Sequence, residues 1–239
     1  DAAILTARLK KTSITFDEFG DSIDRVLLGP ERKSRIISHL EREITAYHEA
    51  GHTIVGHLLP DCDPVQKVSI VSRGMAGGYT KSIPAEDRHM YSLDQFKSMM
   101  AMAMGGRVAE QIIFEKITTG ASNDLENATR MARNMVVRYG MSENLGPRTF
   151  GEREEMVFLG RQISEQRDYS DNIAQQIDEE VKSLVTEAYD LAHSMISKNR
   201  AKLVQLARHL LTHETVEGEE LITLLDSEAP PIESEVTHP

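Results

Sequence analysis

The chain has 239 residues, 40% hydrophobic and 27% charged, with a single cysteine, no tryptophan and a net charge of −11. A chain of this size buries enough surface to need no disulfide framework, and one thiol excludes an internal disulfide, so a reducing compartment is expected. Residues 1–150 are balanced in charge and the whole acidic excess lies in 151–239. That argues against a nucleic-acid partner, which needs clustered Lys and Arg, and no run approaches the ~20 apolar residues of a membrane span.

Residues 2–11 read as a short helix on Ile4, Leu5 and Leu9, and Thr15–Leu28 as another on Phe16, Phe19, Ile23, Val26 and Leu27, before Gly29-Pro30 breaks the pattern. This opening is too small for a domain. The first residues have no basic n-region or apolar signal core, and they begin inside a helical pattern, so the chain reads as part of a longer protein. From Arg32 to about Leu59 the apolar spacing is helical, and Pro60 ends the run. Residues 65–72 and 77–83 predict two short strands of a small sheet with an exposed edge. Ser92–Glu115 predicts a second long helix with Ser92 as its cap, and Thr118–Ala121 a loop. Ser122 or Asn123 then caps a helix running to Tyr139, with Gly140 as its stop. Residues 141–165 read as irregular, with a short strand near Arg148–Phe150. Asp168–Ser197 is again helical, Ala201–Leu211 and Glu217–Leu225 are shorter helices, and the tail from Ser227, with Pro230-Pro231, reads as mobile. The expected fold class is mainly α, with a small β-sheet.

The chemistry concentrates in His48-Glu49-Ala50-Gly51-His52. On a helix, His48 and His52 fall one turn apart on one face, where two imidazoles can converge on one tetrahedral metal. Glu49 is rotated by about 100° from His48 around the helix, so it can stand beside the ion without ligating it and take a proton from an attacking water. This is the HExxH arrangement of zinc hydrolases. Gly51 costs a helix roughly 0.5–1 kcal/mol relative to Ala, so its presence wants a packing reason. His209 and His213 share the i, i+4 spacing but lack the intervening acid and read as a surface pair.

A catalytic zinc needs a third protein ligand and an open position. Two acids compete on spacing alone. Asp124 opens a helix, where the macrodipole favours an acid in any case. Glu110 lies mid-helix in Gly105-Gly106-Arg107-Val108-Ala109-Glu110. His57, Glu115 and Glu126 are weaker candidates.

Several ordered stretches carry a resemblance. They are Gly29-Pro30-Glu31-Arg32-Lys33-Ser34, Ala46-Tyr47-His48-Glu49-Ala50-Gly51-His52, Ile83-Pro84-Ala85-Glu86-Asp87, the Gly105–Glu110 stretch, Thr118-Thr119-Gly120-Ala121-Ser122-Asn123-Asp124-Leu125, Ala132–Val136 and Tyr139–Ser142. Over residues 1–226 the sequence resembles the FtsH family of membrane-anchored ATP-dependent zinc metalloproteases. The resemblance implies a mainly helical zinc-peptidase domain over 29–226, preceded at 1–28 by the end of an AAA+ lid subdomain. It implies zinc held by His48, His52 and Asp124, with Glu49 as general base. It also implies a substrate-binding strand at Gly78, Tyr79 and Thr80, where an extended polypeptide lies. Implied partners are unfolded or membrane protein substrates and five further copies in a homo-hexamer, on the cytoplasmic side of a membrane. The family's P-loop pattern and transmembrane segments are absent from these residues, so ATP use and membrane association are expected only through parts outside the chain.

Other features read more plainly. Met99, Met100, Met102 and Met104 suit adaptable core packing better than a docking surface. The acidic helix from Asp168 suits either a subunit contact or a core contact. Cys62 between Asp61 and Asp63 is poor zinc geometry, and the Asn127-Ala128-Thr129 sequon lies inside a predicted helix. The competing functional reading is a zinc-stabilised, ring-forming assembly module with vestigial catalysis; Glu49 argues against it, since a structural zinc needs four closing ligands and no base. An aminopeptidase would need a site for a free amine, and none is found.

Overall fold

Two short helices lead the chain, α1 (Ala2–Arg8) and α2 (Phe16–Leu28), the second opened by a capping box between Thr15 and Glu18. The computed structural model describes residues 1–31, 37–74, 76–84, 87–151 and 169–229. The next helix is α3 (His39–Leu58); of the start expected from Arg32, residues 32–36 lie outside the described residues, and 37–38 are not helical. The reason is local: Ser38 is extended, and its side chain accepts the Glu41 N–H, which fixes the first turn there.

Strands β1 (Val65–Ser69) and β2 (Tyr79–Ser82) pair antiparallel. Ser92 and Gln95 then form a capping box on α4 (Leu93–Phe114), which ends with Glu115 in the left-handed region. A single 3-10 turn, Thr119–Ala121, leads directly into α5 (Ser122–Val137), so Ala121 takes the N-cap position expected for Ser122 or Asn123. The helix stops before the expected Tyr139, and Gly140 follows with φ +60°. Residues 148–150 form no strand; the Phe150 N–H instead donates to Val137 O, and the buried Phe150 ring closes the end of α5.

The second half is α6 (Asp171–Lys198), capped by Ser170, then α7 (Arg200–His213) and α8 (Gly218–Asp226). Between the last two lies β3 (Thr215–Glu217), a strand not expected from the sequence, at the start of the helix expected from Glu217. It pairs antiparallel with β1, giving the sheet order β2-β1-β3. Among the described residues, the outer edge of β2 is unpaired. The expected mobile tail, 227–239, falls outside the described residues beyond 229. With eight helices and one three-stranded sheet among the described residues, the fold is mainly α.

The core forms where α3 packs on α4 and α7, and α4 packs on α5 and α6. Met100, Met104, Ile54, Met135, Ile177 and Leu203 are fully buried there, so the methionine-rich run is core packing. The α3–α4 crossing explains the helical glycine of the motif. A Cβ built on Gly51 would lie 2.3 Å from Gly105 O, and one on Gly105 would lie 2.6 Å from Gly51 O. Only paired glycines let the two backbones come this close, and that closeness carries α4 under the motif face of α3. The acidic α6 makes a core contact, with the Tyr189 hydroxyl donating to Gln111 Oε1 on α4 at 2.8 Å.

The period-2 alternation of β2 splits its side chains between two neighbours. Thr80 faces α3, with its hydroxyl against Glu49. Tyr79 and Lys81 face α2, where the buried Asp24 collects the Lys81 ammonium at 2.5 Å, the Lys67 ammonium of β1 at 3.3 Å, and the Tyr79 hydroxyl at 3.5 Å.

Candidate metal centre

On α3, His48 and His52 turn their Nε2 atoms to within 3.0 Å of each other. Asp124, in the first turn of α5, brings Oδ2 to 3.3 Å from His48 Nε2 and 3.5 Å from His52 Nε2. These three residues alone, among the described residues, form a group able to hold a metal ion. A tetrahedral ion bound at ~2.0–2.1 Å by nitrogen and oxygen has ligand-to-ligand edges of about 3.3 Å, which the triangle matches. Two imidazoles and one carboxylate are a donor set suited to zinc.

Protonation sharpens the fit. His48 Nδ1 lies 2.7 Å from Glu110 Oε1, and His52 Nδ1 lies 2.8 Å from Met102 O. A carboxylate and a carbonyl have no proton to give, so each ring donates from Nδ1 and leaves Nε2 as a lone pair. Three acceptors then converge with no donor among them, an arrangement that needs a cation at its centre. In the metal-free chain a proton serves. Burial alone lowers the pKa of His48, but its hydrogen bonds to Asp124 and Glu110 push it up to about 10. Burial likewise disfavours the Asp124 carboxylate, yet its bonds to the two rings hold its pKa far below the usual range.

Glu110 therefore is no part of the triangle. It binds the far nitrogen of the His48 ring, and its other oxygen accepts the Thr118 hydroxyl at 2.8 Å. It orients the ring and raises its basicity, which is how carboxylates behind metal-bound imidazoles act. This role is not the ligand role for which Glu110 competes on spacing alone. The signal available was Gly106, one turn before it on the same face of α4. A Cβ there would lie 2.5 Å from His48 Cε1, so a glycine in mid-helix marks the surface on which the ring lies. His57 pairs instead with Asp226 at 3.0 Å, and neither Glu115 nor Glu126 joins the group.

Glu49 stands beside the triangle, 6% exposed. Burial pushes its pKa up, while the charges of His52 and His48 and a hydrogen bond from Thr80 pull against that rise without cancelling it. The carboxylate lies over Gly78, where an added Cβ would meet Glu49 Cγ at 2.8 Å. Of the three residues expected to contact a substrate, Tyr79 turns its ring toward α2 and Thr80 its hydroxyl onto Glu49, so what they offer outward is the backbone edge of β2. His209 and His213 stack at 4.1 Å, His209 pairs with Glu220 and His213 Nδ1 meets His209 O, and among the described residues neither they nor Cys62 belong to a metal-ligating group.

Residues 35–224 match peptidase family M41. The chain is 53% identical over 230 residues to ATP-dependent zinc metalloprotease FtsH 1 of Sphaerobacter thermophilus, covering 96% of this chain and 35% of the relative. It is 53% identical over 229 residues to ATP-dependent zinc metalloprotease FtsH of Chloroflexus aggregans, covering 94% and 35%. It is 54% identical over 230 residues to ATP-dependent zinc metalloprotease FtsH 3 of Synechocystis sp., covering 94% and 37%. The chain thus spans about a third of the length of these relatives. With a family match across most of its length and half of its residues shared with these proteins, the chain belongs to peptidase family M41, as an FtsH-family peptidase domain.

Proposed function

We propose that this domain is a zinc endopeptidase in which His48, His52 and Asp124 hold the metal and Glu49 moves the protons. One observation carries the reading: three convergent acceptors with a buried carboxylate beside them. When bound, zinc supplies Lewis acidity that lowers the pKa of water and polarises the scissile carbonyl. Glu49 accepts the proton of the attacking water and passes it to the leaving amine nitrogen. Its pKa, raised by burial, suits both transfers, because a carboxylate that binds protons more tightly is a better base and still releases them to an amine. Glu110 and Met102 O hold the two rings in the tautomer that keeps Nε2 free for metal.

The open edge of β2 suits capture of an extended polypeptide by main-chain hydrogen bonds, which give affinity with little sequence preference. Residues 78–80 line that edge beside Glu49, so an added strand there runs past the base. On this reading the substrates are unfolded or membrane proteins. Residues 1–28 are the end of an AAA+ lid and 29–226 the peptidase domain, with residues from 227 a tail. The full-length protein is a homo-hexamer on the cytoplasmic side of a membrane and uses ATP through its AAA+ module. The assembly-module alternative has less support: a closed structural zinc takes four protein ligands, and the group offers three.

Casein digestion tests the proposal. The zinc-loaded chain digests unfolded casein, a chelator stops it, and Glu49→Gln keeps its metal while losing turnover. Digestion by Glu49→Gln at the wild-type rate contradicts the role given to Glu49, and undiminished digestion in excess chelator contradicts the metal chemistry.

A further inference from the structure

Glu49 needs more than proximity to act as a base; its carboxylate must be aimed. Among the described residues, one side chain donates to it. The Thr80 hydroxyl lies 2.9 Å from Glu49 Oε2. Thr80 Oγ1 also lies 3.2 Å from Glu49 O and 3.4 Å from Thr53 Oγ1. A hydroxyl has one proton, so these contacts compete. The Thr53 hydroxyl already donates to Glu49 O at 2.8 Å. The Thr80 proton therefore goes to the shorter and charged acceptor, Oε2, where a hydrogen bond is worth most.

We infer that Thr80 is a positioning residue for Glu49, tying one carboxylate oxygen to strand β2 and leaving the other to meet water. The inference rests on the reading of Glu49 as the proton acceptor. Its physical basis is a two-sided clamp. Below the carboxylate lies Gly78, whose missing Cβ gives the Glu49 side chain its space. Beside it lies Thr80, two residues on within β2, with its hydroxyl on the same carboxylate. The strand that offers a backbone edge to a polypeptide thus also fixes the base. On the opposite face, Tyr79 and Lys81 are anchored to Asp24, which holds β2 against a shift that would carry the hydroxyl away. This role differs from substrate contact: the Thr80 side chain turns inward to α3, and removing its hydroxyl should slow turnover without weakening substrate capture.

The test uses the zinc-loaded chain with an unstructured fluorogenic peptide, reading kcat and KM separately, together with zinc content and melting temperature. Thr80→Val keeps the shape and removes the proton. The expected result is a kcat lower by about ten- to a hundredfold, the size of effect that a misaimed catalytic group produces, with KM, zinc content and melting temperature near wild type. Thr80→Ser returns the hydroxyl and restores kcat. An unchanged kcat in Thr80→Val overturns the inference, as does a raised KM with kcat preserved, which is the mark of a substrate contact. Loss of kcat in Thr80→Ser equal to that in Thr80→Val also overturns it. Should Thr80→Val fail to fold, Thr80→Ala is read in the same way, and failure of both makes the hydroxyl a structural element and overturns the inference. Glu49→Gln run alongside separates the two layers. Full activity in Glu49→Gln contradicts the reading of the base itself, whereas inactive Glu49→Gln with unaffected Thr80→Val contradicts only the positioning.

Discussion

Glu110 Oε1 sits 2.7 Å from His48 Nδ1, the ring nitrogen that faces away from Asp124. This one contact fixes the tautomer of His48 and so decides which nitrogen is free for a metal. Removing the carboxylate should weaken metal binding without removing a ligand. Glu110→Ala is expected to lower zinc affinity by about 10–100-fold, measured by competition with a chromophoric chelator. Affinity equal to wild type contradicts the orienting role.

Metal uptake should depend on pH in a defined direction. With its pKa pushed up to about 10, His48 is protonated in the metal-free chain at neutral pH and must lose that proton to bind. Zinc affinity should therefore rise with pH by about tenfold per unit while the pH stays below that value, as expected for release of one proton. Titration calorimetry in buffers of different ionisation enthalpy measures the proton released. Uptake with no proton release contradicts the all-acceptor geometry.

The helix crossing at Gly51 and Gly105 leaves no space for a methyl group. Gly51→Ala gains about 1 kcal/mol of helix propensity but drives a Cβ into the carbonyl of Gly105 at 2.3 Å, where backbone has to move. Overpacking of this kind costs about 1–3 kcal/mol, and a backbone obstacle places it at the upper end, so the variant should be destabilised on balance. Urea unfolding of the metal-free chain measures it. A stabilised Gly51→Ala would mean that the helices cross elsewhere.

Asp24 anchors the two lysines of the sheet from the side opposite the metal centre. Burial opposes its charge, but the Lys81 and Lys67 ammonium groups hold its pKa below the ordinary 3.8. A carboxylate with a depressed folded pKa stabilises above its unfolded pKa and loses that contribution as pH falls through the folded value. Asp24→Asn should therefore cost about 1–2 kcal/mol at pH 7, with both lysines still partly in contact with water, and the gap should narrow below pH 3.8. Chemical unfolding at pH 7 and pH 3 checks the sign.

Local features were legible in the residues and distant ones were not. The His48–His52 face follows from helix geometry, so spacing alone reveals it. The third member does not follow from spacing, because the turn that brings Asp124 to the rings is set by how α5 packs on α4; spacing leaves Asp124 and Glu110 equal, and only the resemblance separates them. Strand β3 escaped notice because three residues carry no period of their own, and Thr215–Glu217 is a strand only through its pairing with β1. The strand expected at Arg148–Phe150 has the β-propensity but no partner, and Phe150 caps α5 instead. Thr80 reads as part of a substrate-binding strand implied by the resemblance, and nothing in its neighbours signals that α3 lies against that face.

Zinc stoichiometry of purified variants tests the central claim most directly. One zinc per chain is expected in the wild type and in Glu49→Gln, and none in His48→Ala or Asp124→Ala. Full zinc retained by Asp124→Ala, with Glu110→Ala metal-free, would contradict the ligand set and with it the chemistry built on that triangle.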